Sequence, residues 1–155
     1  MNLTVNNYGT DLSKQIALFY FAYRSIIEIP EEIVEAYQIN RGHHRILFFI
    51  GSMPGLNVNE LFHALEVSKQ ALHHPLRELK QRNYVVDMPD EKDKRSKRLF
   101  LTENGQQLFD ELMAAQQAQF DTVFGQFDPQ AKELWSHIMK GFAKDRPGLQ
   151  YWDSI

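Results

Sequence analysis

Two helix-start signals in close succession, followed by two short β-prone runs, constrain this chain more than any other feature of it. Asn57-Val58-Asn59-Glu60 has the capping-box pattern: the Asn57 side chain can accept the Glu60 backbone N–H while the Glu60 carboxylate reaches back to the Asn57 N–H. That predicts a helix of roughly Val58 to Leu65. Val67-Ser68 breaks the run and supplies an N-cap for a second helix that begins at Lys69 and extends to Gln81. Tyr84 to Met88 is then rich in β-branched and aromatic residues, and Leu99-Phe100-Leu101 makes a second candidate strand. Between the strands, Pro89 to Arg98 is almost wholly charged.

Amphipathic helices flank this unit. Leu12, Ile16, Phe19, Tyr20, Tyr23, Ile26 and Ile27 recur at three- and four-residue steps and form one stripe. Ile29-Pro30 stops that helix, and Pro30 suits the first position of a shorter one, with Glu31 and Glu32 at its N-terminus and Ile33, Val34 and Tyr37 as its inner side. A third helix is expected from about Gly42 through Ile50, ending at the breaker cluster Gly51 to Gly55. Thr102 can cap a long helix whose stripe runs from Leu108 to Phe124, with Phe127 closing it. Asp128 as cap and Pro129 at the first position start a last helix carrying Ala131, Leu134, Trp135, Ile138 and Phe142. The terminal helices carry more apolar surface than a small core can cover, which points to a partner chain, most economically a second copy.

The formal charge is −3, yet its distribution matters more than its sum. Residues 1–67 hold 4 Lys and Arg against 7 Asp and Glu, residues 68–101 hold 9 against 5, and residues 102–155 hold 4 against 8. A basic block between acidic flanks suits a patch that meets phosphate. It coincides with the order helix, turn, helix, strand, charged loop, strand, which is that of a winged helix-turn-helix, whose second helix enters the major groove of DNA. The expected fold class is therefore mostly α (α+β). Residues 1–37 and 105–155 would supply dimerisation helices, and residues 38–104 the winged helix-turn-helix.

On the second helix, Leu72, Leu76 and Leu79 share the inner face, while Gln70, His73, His74, Arg77 and Gln81 spread over the opposite one. Gln and Arg can make bidentate contacts to adenine and guanine edges, and Ser68, Lys69 and the helix N-terminus can hold a phosphate. In the hairpin, Lys92, Lys94, Arg95 and Lys97 gain little stability as exposed charges, so phosphates or a narrow minor groove are their natural partners. Asp93 lies close enough to brace the Arg95 guanidinium. Pro75 removes a hydrogen bond to the Ala71 carbonyl. Either the helix kinks there or it begins there; the cap at Ser68 favours the kink.

The stretch Asp93-Lys94-Arg95-Ser96-Lys97-Arg98-Leu99-Phe100-Leu101-Thr102-Glu103-Asn104-Gly105 resembles the Asp-x-Arg wing and Leu-Thr-x-x-Gly helix start of the MarR family of bacterial regulators. The resemblance extends through Asn59-Glu60-Leu61, Val67-Ser68 and Leu76-Arg77-Glu78-Leu79, and loosely through His43-His44-Arg45-Ile46-Leu47. The terminal helices match in position only. The resemblance implies a triangular homodimer with interlocked terminal helices, two winged domains on a pseudo-palindromic duplex, and repression of a nearby promoter. It also implies release by a small, often aromatic effector bound between the dimer helices and the DNA-binding lobe, where Tyr23, His43, His44 and Phe48 fall by position.

Other classes find less support. A sequence without cysteine has no disulfide and no thiolate ligand and suits the cytoplasm. The runs Ile16 to Tyr23 and Ile46 to Ile50 are far shorter than the ~20 residues of a membrane span, and Met1 to Thr4 lacks a basic signal region. Six histidines raise a metal-responsive regulator, but no His-x-x-x-His pair falls on one helix, so neither metal nor cofactor is expected. No phosphate loop or nucleophile elbow indicates an enzyme. A winged helix that binds only protein is the remaining rival.

Overall fold

The computed structural model describes residues 11–152, so Met1 to Thr4 lie outside the described residues. The elements in order are α1 (Asp11–Ile26), α2 (Glu31–Tyr37), α3 (Arg41–Ser52), α4 (Val58–Leu65), α5 (Lys69–Gln81), β1 (Val85–Pro89), β2 (Lys97–Leu101), α6 (Glu103–Phe124), α7 (Ala131–Ala143) and a 3-10 helix, Pro147–Tyr151. The chain is mostly α with one two-stranded antiparallel sheet.

Local chemistry sets the helix starts. Asn57 and Glu60 close the expected capping box, with Glu60 N–H to Asn57 Oδ1 at 2.9 Å and Asn57 N–H to Glu60 Oε2 at 2.7 Å. Ser68 Oγ accepts the Ala71 N–H at 3.3 Å. Thr102 Oγ1 accepts the Gly105 N–H at 3.0 Å. Each such cap is worth about 1 kcal/mol. A further box opens α3: Asn40 Oδ1 accepts from Gly42 and His43, and His43 Nδ1 accepts the Asn40 N–H.

These helices bury one continuous apolar cluster. Ile46, Leu47 and Ile50 of α3, Leu61 of α4, Leu79 of α5, Leu99 of β2 and Leu108 of α6 are all inaccessible to solvent, and Leu72 and Leu76 join them from the expected inner face of α5. At roughly 1.5–3 kcal/mol for each buried Leu or Ile, this cluster is what holds the winged unit together.

Several boundaries differ from the sequence expectation, each for a local reason. α3 runs through Gly51 to Ser52, because that glycine serves packing: a Cβ there would lie 2.6 Å from the Phe109 ring of α6. The sheet pairs Pro89 with Lys97, so the charged loop is shorter than Pro89 to Arg98. α6 ends at Phe124, capped by Gly125, before Phe127. The regular turns of α7 start at Ala131, after a turn in which Asp128 Oδ1 accepts the Gln130 N–H. The 3-10 helix, unforeseen in the sequence, docks on α4. Glu66 accepts from Arg146 and from the Gly148 N–H, and a Cβ on Gly148 would lie 2.4 Å from the Ala64 carbonyl. Trp152 then packs on Phe48 and Phe49.

Candidate nucleic-acid interface

α5 stands on its leucine face, which leaves Ser68, Lys69, Gln70, His73, His74 and Arg77 exposed together. Two of these rest on the core: Lys69 Nζ lies 5.8 Å from the Phe62 ring centre, and the His73 ring packs edge-on against the same ring. The helix begins at Lys69 and continues through Pro75, so Pro75 does not mark its start. Gly42 of α3 lies opposite the proline, close enough that a Cβ there would sit 3.6 Å from the Pro75 ring.

The hairpin is organised by two aspartates. Asp90 Oδ1 accepts the N–H groups of Lys92 and Asp93 at 2.7 and 3.0 Å, while its other oxygen accepts from Arg98 Nε. That guanidinium holds the Asp90 carboxyl at about 2, well below the ordinary 3.8, with the two backbone donors helping. Arg98 reaches further, to the Gly55 carbonyl at 3.1 Å and to Glu60 Oε2 at 2.8 Å, and so ties β2 to the start of α4. The expected brace is therefore placed differently. Asp93 Oδ1 accepts the Arg95 backbone N–H at 3.0 Å and shapes the tip, without binding the Arg95 guanidinium. The side chains that brace are Asp90 and Arg98, which come together through the strand pairing of Met88 with Arg98.

The nine cations of residues 68–101 fall into two groups. Lys80 pairs with Asp87 at 2.7 Å, Arg82 lies 3.6 Å from Glu78, and Arg98 pairs with Asp90 and Glu60. Lys69, Arg77, Lys92, Lys94, Arg95 and Lys97 are exposed and form no ion pair with the described residues. Charges paired within the fold are thus distinct from exposed charges that are unpaired among the described residues.

A cleft of about 560 Å³ opens between α1, α3 and α6. Tyr23, His44 and Phe48 line it, with Arg41, Arg45, Gln116 and Phe120. His44 is 7% exposed, its Nε2 has no hydrogen-bond partner among the described residues, and burial pushes its pKa below the ordinary 6.5. His43 does not line the cleft. One residue turns a helix by about 100°, and His43 faces α5, where its Nε2 lies 2.9 Å from Glu78 Oε2. That bond is the first cause of a lowered Glu78 pKa.

Residues 37–96 match the model of the MarR family. The chain is 38% identical over 129 residues to the HTH-type transcriptional regulator PetP of Rhodobacter capsulatus, covering 83% of this chain and 78% of that protein. It is 27% identical to the HTH-type transcriptional regulator SarZ of Staphylococcus epidermidis, over 86% and 93% of the two chains. Among solved structures, it is similar to a MarR transcriptional regulator from Methanosarcina mazei, with TM-score 0.65, 27% identity, and 86% and 94% coverage. An S. aureus MepR mutant bound to an oligodeoxyribonucleotide shares the fold, with TM-score 0.56 and 18% identity over 84% of this chain and 96% of that one.

Proposed function

The chain belongs to the MarR family of HTH-type transcriptional regulators, and from that premise we propose that it is a homodimeric, sequence-specific repressor in which α5 reads the major groove and the β1–β2 wing grips the adjacent backbone. The observation that carries this reading is the division of the basic block. Lys80, Arg82 and Arg98 are paired with carboxylates of the fold, while Lys69, Arg77, Lys92, Lys94, Arg95 and Lys97 have no ion partner among the described residues. Phosphates supply the missing counter-charge. Gln70, His73, His74 and Arg77 are the side chains for base edges, and Ser68 and Lys69 for phosphate at the helix start.

The homodimer is supported by α1 and α7, neither of which has a buried residue. Phe19 is 58% exposed and Phe142 79%, which a second copy would cover. The cleft lined by Tyr23, His44 and Phe48, with His44 Nε2 lacking a partner among the described residues, suits a small aromatic effector with one polar group, whose binding would release DNA. His43, engaged with α5, stands outside that ligand set.

Footprinting on the DNA upstream of the chain's own reading frame tests the proposal. Two protected half-sites, centred ~34–36 Å apart along one face of the duplex, are expected. Arg95→Ala should weaken protection of every sequence, and Gln70→Ala or Arg77→Ala should change which bases are preferred. Absence of protection at low salt would leave the protein-only winged helix as the better account.

A further inference from the structure

We propose that Glu78, a carboxylate of α5 already engaged by His43 within the fold, is a positioning residue that fixes His74 and Arg77 for base reading by tying them to the buried His43 of α3. The inference rests on α5 being the DNA-reading helix.

The hydrogen bonds allow one proton arrangement. His43 is 2% exposed, and its Nδ1 accepts the Asn40 N–H at 3.2 Å. Its proton therefore sits on Nε2 and is donated to Glu78 Oε2 at 2.9 Å. The same carboxylate oxygen lies 3.5 Å from His74 Nε2. The other nitrogen of that ring, Nδ1, lies 3.4 Å from an Arg77 guanidinium nitrogen. Guanidinium can only donate, so His74 Nδ1 accepts and the proton of the neutral ring sits on Nε2, the nitrogen 3.5 Å from Glu78. A single chain of contacts thus runs from a ring locked in the core to two exposed side chains suited to base edges.

The helix needs such an anchor at this place. Pro75 leaves the Ala71 carbonyl without its helical donor, so α5 is least self-supporting one turn before Glu78. There the helix is held from outside, by Gly42 against the Pro75 ring and by His43 on Glu78. Long polar side chains lose rotamer freedom when they bind, and holding them in place beforehand lowers that cost for the correct sequence alone. Charge acts in the opposite direction. Removing a carboxylate from a DNA-facing helix raises affinity for every duplex through the phosphates. The two roles of Glu78 therefore predict opposite signs.

The test uses the full-length protein, an operator duplex selected by the wild type from a random pool, and a scrambled duplex of equal length. For Glu78→Ala, operator affinity is expected to fall about tenfold while affinity for the scrambled duplex is unchanged or slightly higher. Glu78→Gln, which keeps an oxygen for His43, should recover most of the discrimination. His74→Ala, at an exposed site that tolerates truncation, should lose discrimination by itself and add little to Glu78→Ala. If Glu78→Ala folds poorly, His74→Ala alone decides: discrimination equal to that of the wild type in it would overturn the inference. Equal gains in affinity for both duplexes, or additive losses in the cycle, would overturn it. A wild type that selects no sequence from the pool, or binds no duplex, would instead overturn the DNA-reading premise, and this inference with it.

Discussion

Arg98 meets Glu60 at 2.8 Å, and the oxygen it reaches is the one that accepts the Asn57 N–H at 2.7 Å. The wing and the first helix of the helix-turn-helix therefore share one acceptor. A cap that would otherwise serve only the start of α4 also sets where β2 stands. The same guanidinium holds Asp90 at the base of the hairpin, so three segments converge on Arg98.

Glu60→Ala removes half of the capping box and one support of the wing together. A loss of about 1 kcal/mol is expected, which for a chain of this size lowers Tm by roughly 2–4 °C. Amide exchange in β1 and β2 should accelerate in the same variant. A lower Tm with unchanged exchange in the hairpin would show that Arg98 does not need Glu60 to hold the wing.

Acid should loosen the wing over a defined range. Asp90 titrates at about 2 in the fold, because Arg98 and two backbone N–H groups stabilise its charge, against an ordinary 3.8. A carboxyl with a depressed native pKa contributes stability that is complete above its unfolded value and is lost as pH falls through the native one. The Tm advantage of wild type over Asp90→Asn should therefore hold at pH 5 and shrink between pH 4 and pH 2. A gap that stays constant across that range would assign the stability to packing.

Gly105 lies against the backbone of Tyr84, where a Cβ would be 1.9 Å from the carbonyl oxygen. That oxygen accepts the Thr102 N–H at 3.1 Å, so it cannot retreat without loss. Gly105→Ala is expected to cost more than any cap, with thermal melts lowered well beyond the Glu60→Ala shift. For Gly51→Ala the nearest atoms belong to the Phe109 ring, which can turn, and the cost should be smaller. The reverse order would contradict the assigned close approach.

The exposed stripes of α1 and α7 predict self-association. Wild type should sediment as a dimer at micromolar concentration, and Ile138→Glu, at a residue 47% exposed in the single chain, should shift it toward monomer. A wild type that sediments as a monomer would leave these stripes without a partner.

What could be read directly in the sequence was local. Asn57 with Glu60, Ser68 and Thr102 each mark a helix start through side chains that meet the backbone within three residues, and α4 and α5 begin and end as those signals predict. The period of leucines likewise assigns the buried face of α5. The Asn40 box lacks the usual sequence signature, because a histidine occupies the place of Glu or Gln.

The rest depended on contacts distant in sequence. Gly51 looks like a helix breaker until Phe109 is packed against it. The pairing of Asp90 with Arg98 follows from strand register, and nearness along the chain favours the wrong partner, Asp93 with Arg95. His43 and His44 are adjacent, yet one serves α5 and the other a cleft. The 3-10 helix is held by Glu66, about eighty residues earlier in the chain, which no periodicity could show.

The most direct test of the account is the salt dependence of duplex binding. Each phosphate neutralised by a free cation should contribute about −0.9 to the slope of log K against log salt, so 6–10 contacts predict a fall of about 10³–10⁵ between 50 and 200 mM. Arg95→Ala should flatten that slope by about one for each wing engaged. Affinity that is independent of salt, or no affinity for duplex DNA at the lowest salt, would contradict the account.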